Sequence, residues 1–162
     1  MAKLAVKFTR DFEVSFGYPP GDNGVVRADS NVRRDLIDGL IEAGVGGDLI
    51  SFFSRVGSVS LPDLDSGFFI HSAEDLLDGV RGEQPVRITG ALEDEIAVFG
   101  SDGGGALFAL NAAQDRVYRL SGGALVGATY DVNPSGVQVM ADDLWGFLEY
   151  LLNELSRAVS VD

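Results

Sequence analysis

The sequence predicts an α+β fold in which a mainly antiparallel sheet is covered by an N-terminal helical pair, a short helix and a C-terminal helix. Two helix-spaced apolar stripes lie between residues 32 and 56, and a third, wider one covers 144–155. Between them, residues 86–132 contain short apolar segments separated by Gly, Asp and Asn, a pattern typical of an antiparallel meander. A length of 162 residues fits one domain, so we expect residues 1–162 to form a single unit.

The first 29 residues show a period of two. Leu4, Val6 and Phe8 alternate with residues of the opposite face, and the alternation resumes over 12–18. This pattern is typical of half-buried strands. We therefore expect residues 1–29 to form a β-hairpin that turns near Thr9 and Arg10, followed by a loop at 19–24 where Pro, Gly, Asp and Asn are concentrated.

The helical pair comes next. Apolar positions from 32 to 41 share one helix face, which Asp29 or Ser30 can cap and Gly44 can end. Asp48 is expected to cap the second helix, which closes at Gly57. Each of these helices has one apolar stripe that must be buried against another element.

The middle of the chain combines a short helix with the predicted strands. Residues 57–71 have the composition of extended chain with a turn at 62–65, and Ser72–Asp75 is a capping-box pattern that starts a helix ending near Gly79. Five strands are predicted, at 86–88, 95–101, 106–110, 116–120 and 125–132. Residues 96–99 and 107–110 are apolar on both faces and should form the central strands. Asp142 can cap the final helix.

The amino-acid composition limits the cellular compartment of the protein and the kinds of metal or catalytic site that it can contain. The chain has no cysteine, so disulfides, thiolate metal sites and cysteine catalysis are excluded. The first residues lack the apolar stretch of a signal peptide, and no run approaches the roughly 18 apolar residues of a membrane span. We therefore expect a cytoplasmic protein without membrane contact.

Charge is distributed unevenly along the chain. Residues 1–55 hold 7 basic and 8 acidic side chains, whereas residues 56–162 hold 5 basic and 17 acidic ones. An acidic surface repels phosphate backbones, so nucleic-acid binding is not expected. It would attract a basic protein. The alternative interpretation is a solvated surface that keeps the protein soluble.

The sequence contains few candidates for catalytic residues. His71 is the only histidine, so a Ser-His-Asp triad could use no other, and its position beside Ser72 favours a structural role. Asp63 and Asp65 are spaced like ligands of a hard cation, but no further ligand run follows, and a solvated turn is preferred. We expect no catalytic residue, no cofactor and no metal.

The segment 101–105, Ser-Asp-Gly-Gly-Gly, resembles a phosphate-binding loop at first sight. Such loops are followed by a helix N-terminus, whose free N–H groups hold the anion. Here residues 106–110 have a strand pattern. We therefore predict a hairpin turn over Asp102–Gly105 with at least one glycine at positive φ, and a backbone anion nest is the alternative.

Four motifs in order resemble the SUKH superfamily, which is named from a fungal regulator of cell-wall synthesis and is abundant in bacteria. The resemblance runs from about Ser30 to Leu155. Its motifs are DLISFFSRVG at 48–57, SLPD at 60–63 leading to GFFI at 67–70, VFGSDGGGALFAL at 98–110 followed by VYRL at 117–120, and LWGFLEYLL at 144–152. The family commonly has Asn-Gly where this chain has Ser66-Gly67, and residues 1–29 lie outside the match.

This resemblance implies a one-domain α+β fold without conserved catalytic machinery. Many bacterial members are similar to immunity proteins, which neutralise a toxin that is often a nuclease. A basic nuclease would suit an acidic inhibitor. We expect the partner to contact exposed acids of the strand-rich half. Phe68 and Trp145 are candidate anchors, although core packing is the preferred interpretation for both. The candidate acids are Asp63, Asp65, Glu93, Asp94, Asp102, Asp142 and Asp143.

Two other functions remain open on the sequence. One is a regulatory or scaffold protein of the same family with no toxin partner. The other is an enzyme or small-ligand protein with a pocket beside the glycine-rich turn, which would require a concave site lined by converging polar groups.

Overall fold

The structure, a computed structural model, describes residues 1–30 and 33–160 and confirms the α+β fold. The α-helices are α1 (Ala2–Phe16), α2 (Arg33–Glu42), α3 (Gly47–Phe53), α4 (Ala73–Asp78) and α5 (Leu144–Val159). A π-helical turn at Gly79–Glu83 follows α4, and a 3-10 turn lies at Pro134–Gly136. The strands are β1 (Gly24–Arg27), β2 (Val56–Leu61), β3 (Phe68–Ile70), β4 (Arg87–Gly90), β5 (Asp94–Asp102), β6 (Leu107–Asn111), β7 (Val117–Leu120), β8 (Ala124–Val126), β9 (Thr129–Val132) and β10 (Val137–Ala141).

The sheet is mostly antiparallel, as predicted, but it extends beyond residues 86–132. Seven strands pair antiparallel in the order β1-β2-β3-β5-β6-β7-β10. A branch starts where β4 pairs with the first residues of β5, and it continues through β9 to β8. β4 and β9 run parallel. The long β5 therefore connects the two parts, and the predicted central position of β5 and β6 is confirmed.

The sheet buries apolar residues on both faces. On one face, Phe147 of α5 packs edge-on against Phe99 and also contacts Phe108, with ring centroids 5.4 and 5.0 Å apart. The other face holds a smaller cluster that includes Ile88 of β4 and Val132 of β9. The C-terminal helix therefore packs on the sheet as predicted. No helix among the described residues has the length and apolar character needed to cross a membrane.

The predicted N-terminal hairpin is wrong, because residues 2–16 form α1. Ala5, Phe8 and Phe12 are buried and have helical spacing. Phe8 and Phe12 fit both periods, whereas Ala5 would lie on the opposite face of a strand. Val14, which the alternation assigned to the buried face, is 91% exposed. Contact between α1 and α5 buries the helical stripe, and Gly17 ends α1 in the left-handed conformation at φ +80°.

Several helix ends differ from the predictions by a few residues. Gly46, not Asp48, precedes α3, which stops at Phe53 and leaves Gly57 inside β2. Asp143, not Asp142, caps α5, with Oδ1 accepting the N–H of Gly146. The predicted strand 125–132 is the β8–β9 hairpin. The proposed capping of α2 by Asp29 or Ser30 depends on residues 31–32, outside the described residues.

The predicted capping box is confirmed. Asp75 N donates to Ser72 Oγ at 3.1 Å, and Ser72 N donates back to Asp75 Oδ2 at 3.3 Å. This reciprocal pair satisfies backbone donors that the first turn of α4 would otherwise leave free.

Candidate partner-binding site

Hydrogen bonds bring three distant parts of the chain to one end of the molecule. Trp145 Nε1, at the start of α5, donates to Asp48 Oδ1 of α3 at 3.3 Å. Asp48 N donates to Gln114 Oε1, in the turn between β6 and β7, at 2.9 Å. The same turn lies beside the start of β5, because Ala112 N donates to Glu95 O at 2.9 Å. α3, α5 and two strand ends therefore form one continuous surface.

Asn111 organises the carboxylates at this end. Its Nδ2 donates to Asp94 Oδ2 at 3.1 Å and to Asp115 Oδ1 at 2.7 Å, while its Oδ1 accepts the N–H groups of Asp115 and Arg116. Tyr118 OH also donates to Asp94 Oδ2, at 2.7 Å. Burial and then the Asp94 carboxylate raise the pKa of Tyr118 to about 12, so the phenol keeps its proton at neutral pH. Two carboxylates are thereby held at fixed positions.

We call this surface the acidic pole. Its carboxylates are Asp48, Glu93, Asp94, Glu95, Asp115, Asp142 and Asp143. Two arginines lie among them, Arg87 opposite Glu95 and Arg116 beside Asp115. The Arg87–Glu95 pair is 3.6 Å long and solvent-exposed on both sides, so it contributes little to stability. Within residues 1–30 and 33–160, no group of carboxylate and imidazole side chains could hold a metal ion. Negative charge predominates at the pole.

The acidic pole also has apolar and concave features. A cavity of about 480 Å³ lies between the loop before α3 and the strand ends, with Leu49, Ile96 and Leu110 in its wall and Glu95 at its rim. Trp145 is 46% exposed and borders a second, apolar groove of about 530 Å³. An exposed tryptophan beside a groove, surrounded by charge, is typical of a protein-binding surface.

The structure divides the residues predicted from sequence to bind a partner into three groups. Five of them lie at the acidic pole: Glu93, Asp94, Asp142, Asp143 and Trp145. Asp63 and Asp65 lie in the turn between β2 and β3, where Asp63 Oδ2 accepts the backbone N–H of Gly21 at 2.7 Å and the side-chain Nδ2 of Asn23 at 2.6 Å. The other two are buried: Asp102 was expected among the exposed acids, and that expectation is wrong, while Phe68 is a core residue, 4% exposed and stacked on Phe108.

Four members of the site are not among the residues predicted from the sequence to bind a partner: Asp48, Glu95, Asn111 and Asp115. Asp48 is predicted as a helix cap and Glu95 as the first residue of a strand, and the sequence pattern predicts no role for Asn111 or Asp115. Asn111 and Asp115 are four residues apart, and an asparagine in the first of these positions is a local signal for a turn closed by its side chain. That signal identifies the turn, but contact with Asp94 depends on the pairing of β5 with β6.

Asp102 stabilises the glycine-rich turn from inside. Its Oδ1 accepts the N–H groups of Gly104 and Ala106, each at 2.9 Å, and its Oδ2 accepts Nε and Nη2 of Arg119 at 3.0 and 2.6 Å. Gly103 N donates to Ser66 O. An internal carboxylate thus occupies the amides that an anion nest would offer, so the nest alternative is wrong. The predicted hairpin turn is confirmed, with Gly105 at φ +88°.

The glycines of this turn should differ in their tolerance of alanine. Gly105→Ala is expected to cost about 1 kcal/mol, because only the positive φ is strained and the site is open. Gly103→Ala should cost more, since a Cβ there would lie 2.2 Å from Ser66 O. Urea unfolding of both variants checks the order. Equal losses, or a neutral Gly103→Ala, would contradict it.

His71 is satisfied within the fold. Its Nε2 lies 2.9 Å from Ser101 Oγ, a distance that a catalytic serine and its base also show. The nearby Asp75 directs Oδ2 to Ser72, not to the imidazole. Burial lowers the pKa of His71, and the charge of Asp75 opposes this shift. Asp75, the carboxylate that could orient His71 in a catalytic triad, therefore binds Ser72 instead.

Comparison with known proteins adds no assignment. No protein-family model matches the chain, and no curated protein matches it. The resemblance to the SUKH superfamily accordingly rests on the order of its motifs and on no other comparison.

Proposed function

We propose that the protein is a non-catalytic binding module that uses the acidic pole to hold a basic protein partner. We further propose that it is an immunity protein and that the partner is a toxin, for example a basic nuclease. The observation that carries this proposal is the convergence of seven carboxylates, an exposed tryptophan and two concave surfaces at one end of the molecule. The toxin identity rests on the resemblance to the SUKH superfamily.

The geometry of the pole suits a protein partner. Asp94 and Asp115 are held by Asn111, so little conformational entropy is lost when they meet a cation. The charges around them would attract a basic surface from a distance, which raises the association rate. Trp145 supplies apolar area at the side of the charged patch, where it could pack in a pocket of the partner.

The small-ligand alternative has one supporting feature, the 480 Å³ cavity. Ligand pockets of this size direct several free polar groups toward the ligand. Here the Asn111 amide binds two carboxylates and two backbone amides, and Gln114 Oε1 accepts the N–H of Asp48. The cavity is also at the other end of the β5–β6 hairpin from the glycine-rich turn. Because these polar groups of the cavity already bond to other groups of the chain, they are not free to bind a small ligand, and a protein partner is favoured.

A protection assay tests the proposal. The protein, purified from its native host under mild conditions, should retain a basic protein. That protein should arrest growth when it is expressed alone in a heterologous bacterium. Co-expression with this chain should restore growth. Capture of a non-toxic regulator would support the scaffold alternative, and a retained protein that is acidic would contradict the charge argument.

A further inference from the structure

The sheet has three edge strands among the described residues, and they are not equally protected. β1 has a register irregularity between Val26 and Arg27, and it also exposes the charge of Arg27. β10 has a similar irregularity between Val139 and Ala141. Bulges and charges are the usual devices that prevent an edge from pairing with another chain. β8 has neither, since its register with β9 is regular and its residues are Ala124, Leu125 and Val126.

The backbone geometry of β8 determines which groups are available at the edge. β8 and β9 are joined by the two-residue turn Gly127–Ala128, with Gly127 at φ +61°, so Val126 and Thr129 form the hydrogen-bonded closing pair. Pairs alternate in an antiparallel ladder. Leu125, opposite Tyr130, is therefore in a non-hydrogen-bonded pair. Its N–H and C=O point away from β9, out of the sheet.

The side chains at this edge are apolar and unpacked. Leu125 and Val126 are 58% and 63% exposed. Leu125 is opposite Tyr130, which packs against the smaller apolar cluster of the sheet. Leu125 therefore extends that cluster to the rim of the sheet, where no described residue covers it.

Charge limits what can approach this edge. Residues 120–130 contain no charged side chain in a chain of net charge −13. Two copies repel each other wherever their acidic surfaces face, but an uncharged edge lets them approach with the least repulsion. A basic partner gains nothing here, because β8 offers it no carboxylate. The observations therefore favour a second copy of this chain as the occupant.

We propose that two copies pair antiparallel through β8, with Leu125 next to a two-fold axis. Each Leu125 N–H donates to the C=O of the other Leu125, so the pair exchanges both hydrogen bonds and the sheet continues across the dimer. The two Leu125 side chains cover each other at the rim of the smaller cluster. The contact is short, so we expect a weak dimer that forms at high protein concentration.

Sedimentation equilibrium of the full chain, over a series of protein and salt concentrations, tests the proposal. Dimer formation should increase with salt, because salt screens the repulsion between two acidic copies. Leu125→Lys should raise the dissociation constant at least tenfold. Val139→Lys is the matched control on the bulged β10 edge, where the native side chain is 48% exposed, and it should leave the dissociation constant unchanged.

Cross-linking locates the contact independently. The chain has no cysteine, so Leu125→Cys introduces a single thiol. Hydrogen-bonded antiparallel pairs have Cα atoms about 5.5 Å apart, within the range of about 4.4–6.8 Å that a disulfide spans. Mild oxidation should cross-link Leu125→Cys much faster than Val139→Cys. Equal cross-linking rates, or a monomer at every concentration and salt, would overturn the proposal.

Discussion

Asp102→Ala should be among the most destabilising single substitutions in this protein, with a loss of about 3–5 kcal/mol. The Asp102 side chain is 1% exposed and accepts four hydrogen bonds, two from backbone amides and two from Arg119. Its removal would leave the buried Ala106 N–H without a partner and would free the Arg119 guanidinium. Each lost partner of a buried donor costs about 1–3 kcal/mol.

Urea unfolding monitored through Trp145 fluorescence and circular dichroism measures this loss. Asp142→Ala is the control, since it removes an exposed carboxylate and should change stability by no more than about 0.5 kcal/mol. Asp102→Asn separates the hydrogen bonds to the turn amides from the ion pair with Arg119. The amide oxygen can still accept from Gly104 and Ala106, while the NH₂ group faces Arg119. Adding Arg119→Met should then recover part of the loss. A loss below about 1 kcal/mol for Asp102→Ala would contradict the structural role.

Ionised Asp102 should stabilise the folded protein, and this contribution should be lost at acidic pH. Burial raises the pKa of Asp102, but the hydrogen bonds from Arg119, Ala106 and Gly104 outweigh it, so the pKa in the folded protein is below the ordinary value of 3.8. The stabilisation is therefore complete above pH 3.8 and is lost as the pH falls from there toward the folded pKa. Asp102→Asn should lack this component, and a matching acid-unfolding slope in both proteins would contradict the assignment.

Reversal of the exposed carboxylates of the acidic pole should have the largest effect on partner binding. The variant Glu93→Lys/Glu95→Lys/Asp142→Lys changes side chains that have few structural bonds, so it should fold normally. Asp94 is left intact because it accepts from Asn111 and Tyr118, and Asp102 because it is buried. Loss of electrostatic attraction should slow association with a basic partner by about 10- to 100-fold at low salt.

Stopped-flow kinetics over a salt series, with the partner identified in the protection assay, measures the association rate. The control is Glu13→Lys/Asp35→Lys/Asp38→Lys, which has the same net charge but changes exposed residues of α1 and α2. The wild-type rate should fall as salt rises, because the Debye length shortens to about 8 Å at physiological ionic strength. A rate independent of salt, or equal rates for the two variants, would show that the acidic pole does not guide the partner.

Local signals in the sequence were sufficient for several elements. The capping box at Ser72 depends on residues within one turn, and the turn at 102–105 needs a glycine at positive φ, so both were predictable without knowledge of the fold. The apolar runs at 96–99 and 107–110 identified the central strands, because a strand covered on both faces has no polar side. In each case the sequence signal lies within a few residues along the chain.

The N-terminal segment and the acidic pole depended on tertiary contacts. The residues from Leu4 to Phe16 fit a period of two and a period of about four, and only the apolar surface of α5 decided for the helix. Asp102 is the last residue of β5 and Glu93 immediately precedes that strand, yet Asp102 is buried under Arg119 and Glu93 is exposed. Which carboxylates meet at the pole was set by strand pairing and by the bonds from Asn111 and Asp48, since chain separation does not specify proximity in space.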